Sequence, residues 1–115
     1  MIVYHDTAHV YGCQVTYEAD GFVVEGDVHI GSGSHSGVVA SQVDLPVGTS
    51  ITQVASANSA DLHTLFLTLS DGSSYKFGDA NFTPNFTVDI PAEKQIVGFA
   101  GGQSEKAHNM FCYYA

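Results

Sequence analysis

Arginine and tryptophan are absent from this 115-residue sequence, and charged side chains make up only 13% of it, about half the usual share. Its cations are three lysines, Lys76, Lys94 and Lys106, set against twelve acids for a formal charge of -9 at pH 7. Nucleic-acid binding depends on cationic side chains that displace counterions from phosphate, so a nucleic-acid partner is excluded and an anionic membrane surface is disfavoured. Long hydrophobic runs are missing too. No stretch approaches the roughly 20 apolar residues of a bilayer-spanning helix, which predicts a soluble chain without membrane insertion. Two cysteines, Cys13 and Cys112, are too few for a disulfide framework and have no paired zinc-finger spacing. They are either bridged, if the first and last long strands are neighbours, or two small buried hydrophobes; the lack of an export signal favours free thiols. The N-terminus has no basic start followed by an apolar core, so no secretory signal is visible. The expectation is a cytoplasmic chain, or one released by an unconventional route.

Helical periodicity is also lacking: no window of a dozen residues repeats apolar positions at helical spacing with caps. What is present is strand chemistry. With 44% hydrophobic residues the chain can bury a core, and its length suits one domain over residues 1–115. Val10 to Tyr17 and Phe22 to Ile30 are rich in valine and aromatics on either side of Ala19-Asp20-Gly21, which reads as a hairpin. Val38 to Leu45 and Ile51 to Val54 flank Pro46-Val47-Gly48. Leu65 to Leu69, the turn at Asp71-Gly72 and Tyr75-Lys76-Phe77 form a second hairpin. Phe86, Val88 and Ile90 fall two apart, as in a strand with one face buried, and Gln95 to Ala100 and Met110 to Tyr114 supply the last two strands. The rhythm predicts an all-β sandwich or barrel, with room for a degenerate threefold arrangement.

Chemistry is harder to find. Gly31-Ser32-Gly33-Ser34-His35-Ser36-Gly37 has neither the lysine nor the helix of a phosphate cradle, and histidine stands where a nucleophile elbow needs serine, so it reads as a mobile surface connection. No order of Ser, His and Asp selects a hydrolytic triad, and the expectation is a non-enzyme that needs no cofactor. Six histidines are numerous for so short a chain. A metal site would draw on His5 and His9, which share a face if the strand is extended, together with His108, but no tight ligand motif supports one. Asn81-Phe82-Thr83 and Asn85-Phe86-Thr87 match the glycosylation acceptor pattern, which is common by chance.

The order of segments carries more. Ile96-Val97-Gly98-Phe99-Ala100-Gly101-Gly102, a short polar loop and Met110-Phe111-Cys112-Tyr113-Tyr114 resemble the C-terminal signature of jacalin-related lectins. Val43-Asp44-Leu45-Pro46 with Ile51-Thr52-Gln53-Val54, the Leu65 hairpin, Tyr75-Lys76-Phe77-Gly78 and Thr83-Pro84-Asn85-Phe86 follow in that family's order. The resemblance covers residues 43–115 well and the first 40 loosely. It implies a β-prism I fold: three four-stranded antiparallel sheets with pseudo-threefold symmetry and a sugar site at one end.

In that family the sugar is held by a glycine-rich N-terminal loop, by the loop before the Leu65 strand and by the loop before the last strand. Laid on this chain, the last loop has Ser104 and His108 where the family has glycine and aspartate, and the N-terminal Gly-Gly loop is missing. A neutral histidine has one acceptor nitrogen and one donor, so it does not reproduce a carboxylate's two-pronged grip. The resemblance implies a noncatalytic glycan site on Gly101, Gly102, Ser104, Glu105, Lys106, His108 and Asn109, together with Ser59 and Asp61. Asp61, Glu105 and Asn109 would hydrogen bond sugar hydroxyls, His108 would assist, and Tyr4 or Tyr11 would stack. The partners implied are glycans or glycoproteins. Single sugar sites bind weakly, commonly near ~1 mM, so a homo-oligomer is expected. The alternative is a prism that has lost sugar binding and serves as a protein-interaction or self-assembly module.

Overall fold

The structure, a computed structural model, describes residues 1–19, 21–107 and 111–115. Among these residues every regular element is a strand. They run β1 (Ile2–His5), β2 (Val10–Gln14), β3 (Thr16–Ala19), β4 (Phe22–Glu25), β5 (His29–Ile30), β6 (Val39–Gln42), β7 (Ile51–Asn58), β8 (Leu62–Leu69), β9 (Ser74–Gly78), β10 (Phe86–Asp89), β11 (Ile96–Ala100) and β12 (Phe111–Tyr114). All ladders are antiparallel. One four-stranded sheet has the order β5-β2-β1-β6 and a second has the order β10-β7-β8-β9, while β3-β4 and β11-β12 are separate hairpins.

The second sheet is set by alternation. Along β8, Leu62, Thr64, Leu65, Leu67 and Leu69 are buried, and Leu62, Leu65 and Leu67 are fully so. Leu65, Leu67 and Leu69 alternate with the partly exposed Phe66 and Thr68, as in a strand with one face inward, while Leu62 and Thr64, at the register shift opposite Asn58 and Ala57, are buried out of that phase. On β7, Ala55, Ser56 and Ala57 are small enough to be buried in succession. Against these pack Val3 of β1, Val10 and Cys13 of β2, Val43, Phe77 of β9 and Ala107, with Ile96, Phe99 and Cys112 partly buried at the margin. Two sheets and the β11-β12 hairpin thus share one interior.

The long N-terminal runs each break in two. Residues 10–30 form one bent ribbon: β2 pairs with β5 inside the first sheet, and β3 pairs with β4 beyond it. The bend lies at Val15 and Gly26, where the Gly26 amide donates to the Val15 carbonyl at 2.8 Å. A Cβ at residue 26 would meet that carbonyl oxygen at 2.8 Å, which leaves room only for glycine. The third wall is two hairpins, β3-β4 and β11-β12, which no ladder joins among the described residues, rather than one continuous four-stranded sheet. Of the hairpin turn read at 19–21, Gly21 has φ +80 as such a turn requires, while Asp20 lies outside the described residues.

Cys13 and Cys112 are free thiols, so the bridged alternative is not adopted. Cys13 sits between Val3 of β1 and His29 of β5, and Cys112 pairs with Phe99 of β11. Burial raises the pKa of both and keeps them protonated.

Leu65→Ala should cost about 2–5 kcal/mol, the usual penalty for a cavity at a fully buried leucine, while Val47→Thr, fully exposed, should change stability by less than about 0.5 kcal/mol. Urea unfolding curves of the two variants check this, and similar costs would contradict the core as described.

Candidate functional site

At one end of the sheets, the turn from β7 to β8, the segment after β9, the turn from β1 to β2 and the loop before β12 converge. The β1–β2 turn is built by Asp6. Its Oδ1 accepts the amides of Ala8 at 2.7 Å and His9 at 2.8 Å, and its Oδ2 accepts the Tyr11 hydroxyl at 2.8 Å. Burial alone would raise the Asp6 pKa, but these bonds favour the charged form and hold it below its ordinary value. The Tyr11 pKa is raised, first by its bond to Asp6 and then by burial.

Because the turn intervenes, His5 and His9 do not share a face. The His5 ring stays on the first sheet, with Nε2 2.7 Å from Ser41 Oγ and the ring 5.1 Å from that of Phe77. The His9 ring lies beside Asp61 instead, Nε2 to Oδ2 3.8 Å, and 4.9 Å from the ring of His63. His108, the third residue of that candidate metal set, lies outside the described residues. Among the described residues no three His, Cys, Asp or Glu side chains are grouped to hold a metal ion.

The β7–β8 turn is clamped from two sides. Asn85, ahead of β10, donates through Nδ2 to the Asn58 carbonyl at 2.6 Å and accepts the Asn58 amide at 3.1 Å. Its side chain is therefore committed to the turn. On the other side the Leu62 amide donates to the Ala107 carbonyl at 2.8 Å, which ties the turn to the last loop. Within it, Ser59 Oγ and His63 Nε2 are 2.6 Å apart, and the Ser59 amide donates to the Asp61 carbonyl at 3.0 Å.

Phe82 completes the cluster. Gly78 closes β9 with φ +93, and a Cβ there would overlap the His63 carbonyl. Asp79 then donates its amide to the same carbonyl at 2.9 Å and accepts the Asn81 amide on Oδ1 at 2.8 Å. This tight turn lays the Phe82 ring flat on His63, with centroids 4.4 Å apart and planes 1° from parallel, and leaves Phe82 41% exposed.

The last loop is not free. Ser104 and Glu105 accept backbone bonds from Ser32 at 2.7 Å and Gly33 at 3.1 Å, and Ser104 donates to the Lys106 carbonyl at 3.0 Å. The glycine stretch read as a mobile connection is therefore a brace for this loop. Cβ atoms at Gly31 and Gly33 would press into Glu105, so glycine is what permits the close approach.

Of the residues expected in the glycan site, Ser59 bonds His63, Asp61 lies beside His9, and the charge of Lys106 acts on His9. Glu105 is exposed on the braced loop, beside Gly33. Gly101 and Gly102 line a different cavity, with Tyr17 and Phe99, which no residue from 57 to 63 reaches. Asn109, like His108, lies outside the described residues. Tyr11 is 7% exposed and bound to Asp6, so it does not present a stacking face. In sequence His63 was one of six histidines weighed as metal ligands and Phe82 stood in an acceptor triplet, and neither was expected in the glycan site. The Gly78-Asp79 pair was the one local signal of their turn, and it gives no partner.

The His9 pKa is held below its ordinary value of 6.5, first by burial, then by the positive charge of Lys106 and by His63, against the pull of Asp61 and Asp6. The unfolded chain therefore takes up a proton at this position before the folded one does. The stability it contributes is present above pH 6.5 and is lost as the pH falls through the lower folded value. Melting temperature should fall more between pH 8 and 5 in the parent protein than in His9→Gln. Equal falls would contradict this placement of His9.

No protein-family model matches the chain, and no curated protein matches it by sequence. Solved structures do match in shape. Frutalin from Artocarpus incisa in complex with galactose superposes with a TM-score of 0.82 at 19% identity, over 99% of this chain and 88% of that one. A galactose-specific lectin from Artocarpus hirsuta in complex with methyl-α-D-galactose gives 0.82 at 21%, and jacalin in its T-antigen complex gives 0.83 at 19%, with the same coverages. The shared feature is the fold, so the chain is a jacalin-like β-prism.

Proposed function

We propose that the chain binds glycans without catalysis, through the end of the prism where Ser59, Asp61, His63, Phe82, His9 and Lys106 meet. The observation that carries this is the flat Phe82–His63 stack, joined through the His9 ring to the Asp61 carboxylate, whose side chain is 31% exposed. A hexose has an apolar face and a rim of hydroxyls. An exposed aromatic covers the face, and a carboxylate with a neighbouring hydroxyl accepts from the rim. Backbone braces hold the surrounding loops before any ligand arrives, which reduces the ordering cost of binding. Structures of the same fold are complexed with galactose, methyl-α-D-galactose and T-antigen, which makes galactosides the first ligands to assay.

The site differs from a simple carboxylate grip in having the His9 imidazole 3.8 Å from Asp61, with His63 against His9 and the charge of Lys106 felt by His9. Neutral glycans suit it best. Homo-oligomerisation belongs to the same proposal, because a millimolar site becomes useful when several act together. Light scattering checks it.

A glycan array followed by calorimetry at millimolar sugar tests the binding. Asp61→Asn and Phe82→Ala should each weaken binding of the best glycan about tenfold, the loss of one hydrogen bond to a charged group or of one aromatic face. Absence of binding to any mono- or oligosaccharide by the folded protein, or full affinity in both variants, would overturn the proposal.

A further inference from the structure

The His9 ring and the Asp61 carboxylate are poised for a second arrangement. Nε2 and Oδ2 stand 3.8 Å apart, which is about 1 Å beyond the length of a charge-assisted hydrogen bond. A neutral imidazole at that distance makes no claim on the carboxylate. An imidazolium is drawn to it, because a cation on a largely covered ring needs a counter-charge within reach. Both side chains keep an edge in solvent, His9 19% exposed and Asp61 31%, so the gap can close by side-chain rotation alone.

The groups around the ring select Asp61 as the partner. Among the described residues, the turn that carries His9 brings Asp6, β2 brings the Tyr11 ring edge-on at 6.4 Å, β8 brings His63 at 4.9 Å, the β7–β8 turn brings Asp61, and the last loop brings the charge of Lys106. Asp6 is already engaged. Its Oδ1 accepts the amides of Ala8 and His9, and its Oδ2 accepts the Tyr11 hydroxyl. Lys106 and His63 oppose a new positive charge, and with burial they hold His9 neutral to a pH below its ordinary 6.5. The ring is thus uncharged near neutrality and takes up its proton in mild acid.

We propose that His9 is an acid switch on the glycan site: on taking up a proton it closes on Asp61 and withdraws that carboxylate from the sugar, so glycan is held near neutral pH and released in mild acid. The switch rests on the reading that Asp61 accepts sugar hydroxyls. Proton and glycan then compete, and by linkage each weakens the other by the same factor.

The test uses the best glycan from the array. Affinity is measured by NMR titration at pH 8 and pH 5, with circular dichroism verifying the fold at both. In the parent protein binding should be at least about threefold weaker at pH 5. In His9→Gln, which cannot take up the proton, the ratio of the two affinities should fall below about 1.5, whatever the absolute affinity of the variant. Independently, saturating glycan should lower the titration midpoint of the His9 ring in the parent protein by at least about half a pH unit, the shift equivalent to threefold. No binding at pH 8 would overturn both the glycan reading and the switch. Binding at pH 8 that persists equally at pH 5, an unchanged ratio in His9→Gln, or a His9 midpoint that glycan leaves in place or raises would overturn the switch alone. Should His9→Gln not bind at all, the midpoint in the parent protein decides.

Discussion

A shared apolar interior, faced among the described residues by strands alone, is the constraint on which the rest depends. Leu62, Leu65 and Leu67 of β8 sit at its centre against Val3 and Val10. Alternating burial at Leu65, Leu67 and Leu69 fixes the register of the second sheet, and that register fixes which residues become turns at its end. The β7–β8 ladder runs to Asn58 opposite Leu62, so residues 59–61 must turn there. The β8–β9 ladder runs to Gly78 opposite Thr64, so Asp79 to Phe82 emerge beside His63. The candidate glycan site is a consequence of where two ladders stop.

Backbone hydrogen bonding then holds the loops. Asp6, Asn58, Asn85 and Asp79 are turn residues whose partners are amides or carbonyls, and the 31–33 and 104–105 segments bond directly to one another. A chain with few charges and no arginine has little else to order its loops with. Surface ion pairs would be weak and salt-dependent, whereas these bonds join groups that must find partners wherever they are shielded from water.

Local patterns made the fold legible. Alternation in Phe86–Ile90 and the Asp-Gly turn at 71–72 point to strands, which the second sheet contains, although Phe86 is 46% exposed rather than turned inward; the order of motifs from residue 43 onward, through the family resemblance, points to the prism. The bend at Val15 and Gly26 was not legible, because it depends on one glycine packed against one carbonyl, which a valine-rich run conceals. Asp61 and Ser59 were expected from motif order, and they lie in one turn. The Phe82–His63 stack was hidden because its rings come from separate elements and meet only through the β8–β9 register. The glycine stretch at 31–37 looked like a bare connector for the same reason, since its partner is more than 70 residues away in sequence.

The proposed glycan site is tested most directly by NMR titration of the folded, isotope-labelled protein with methyl-α-galactoside and with the best glycan from an array. Shifts confined to Ser59, Asp61, His63, Phe82, His9 and Lys106, saturating at millimolar sugar, are the expected result. Saturating shifts at other surfaces with these six residues unmoved, or no shifts with any glycan, would contradict it.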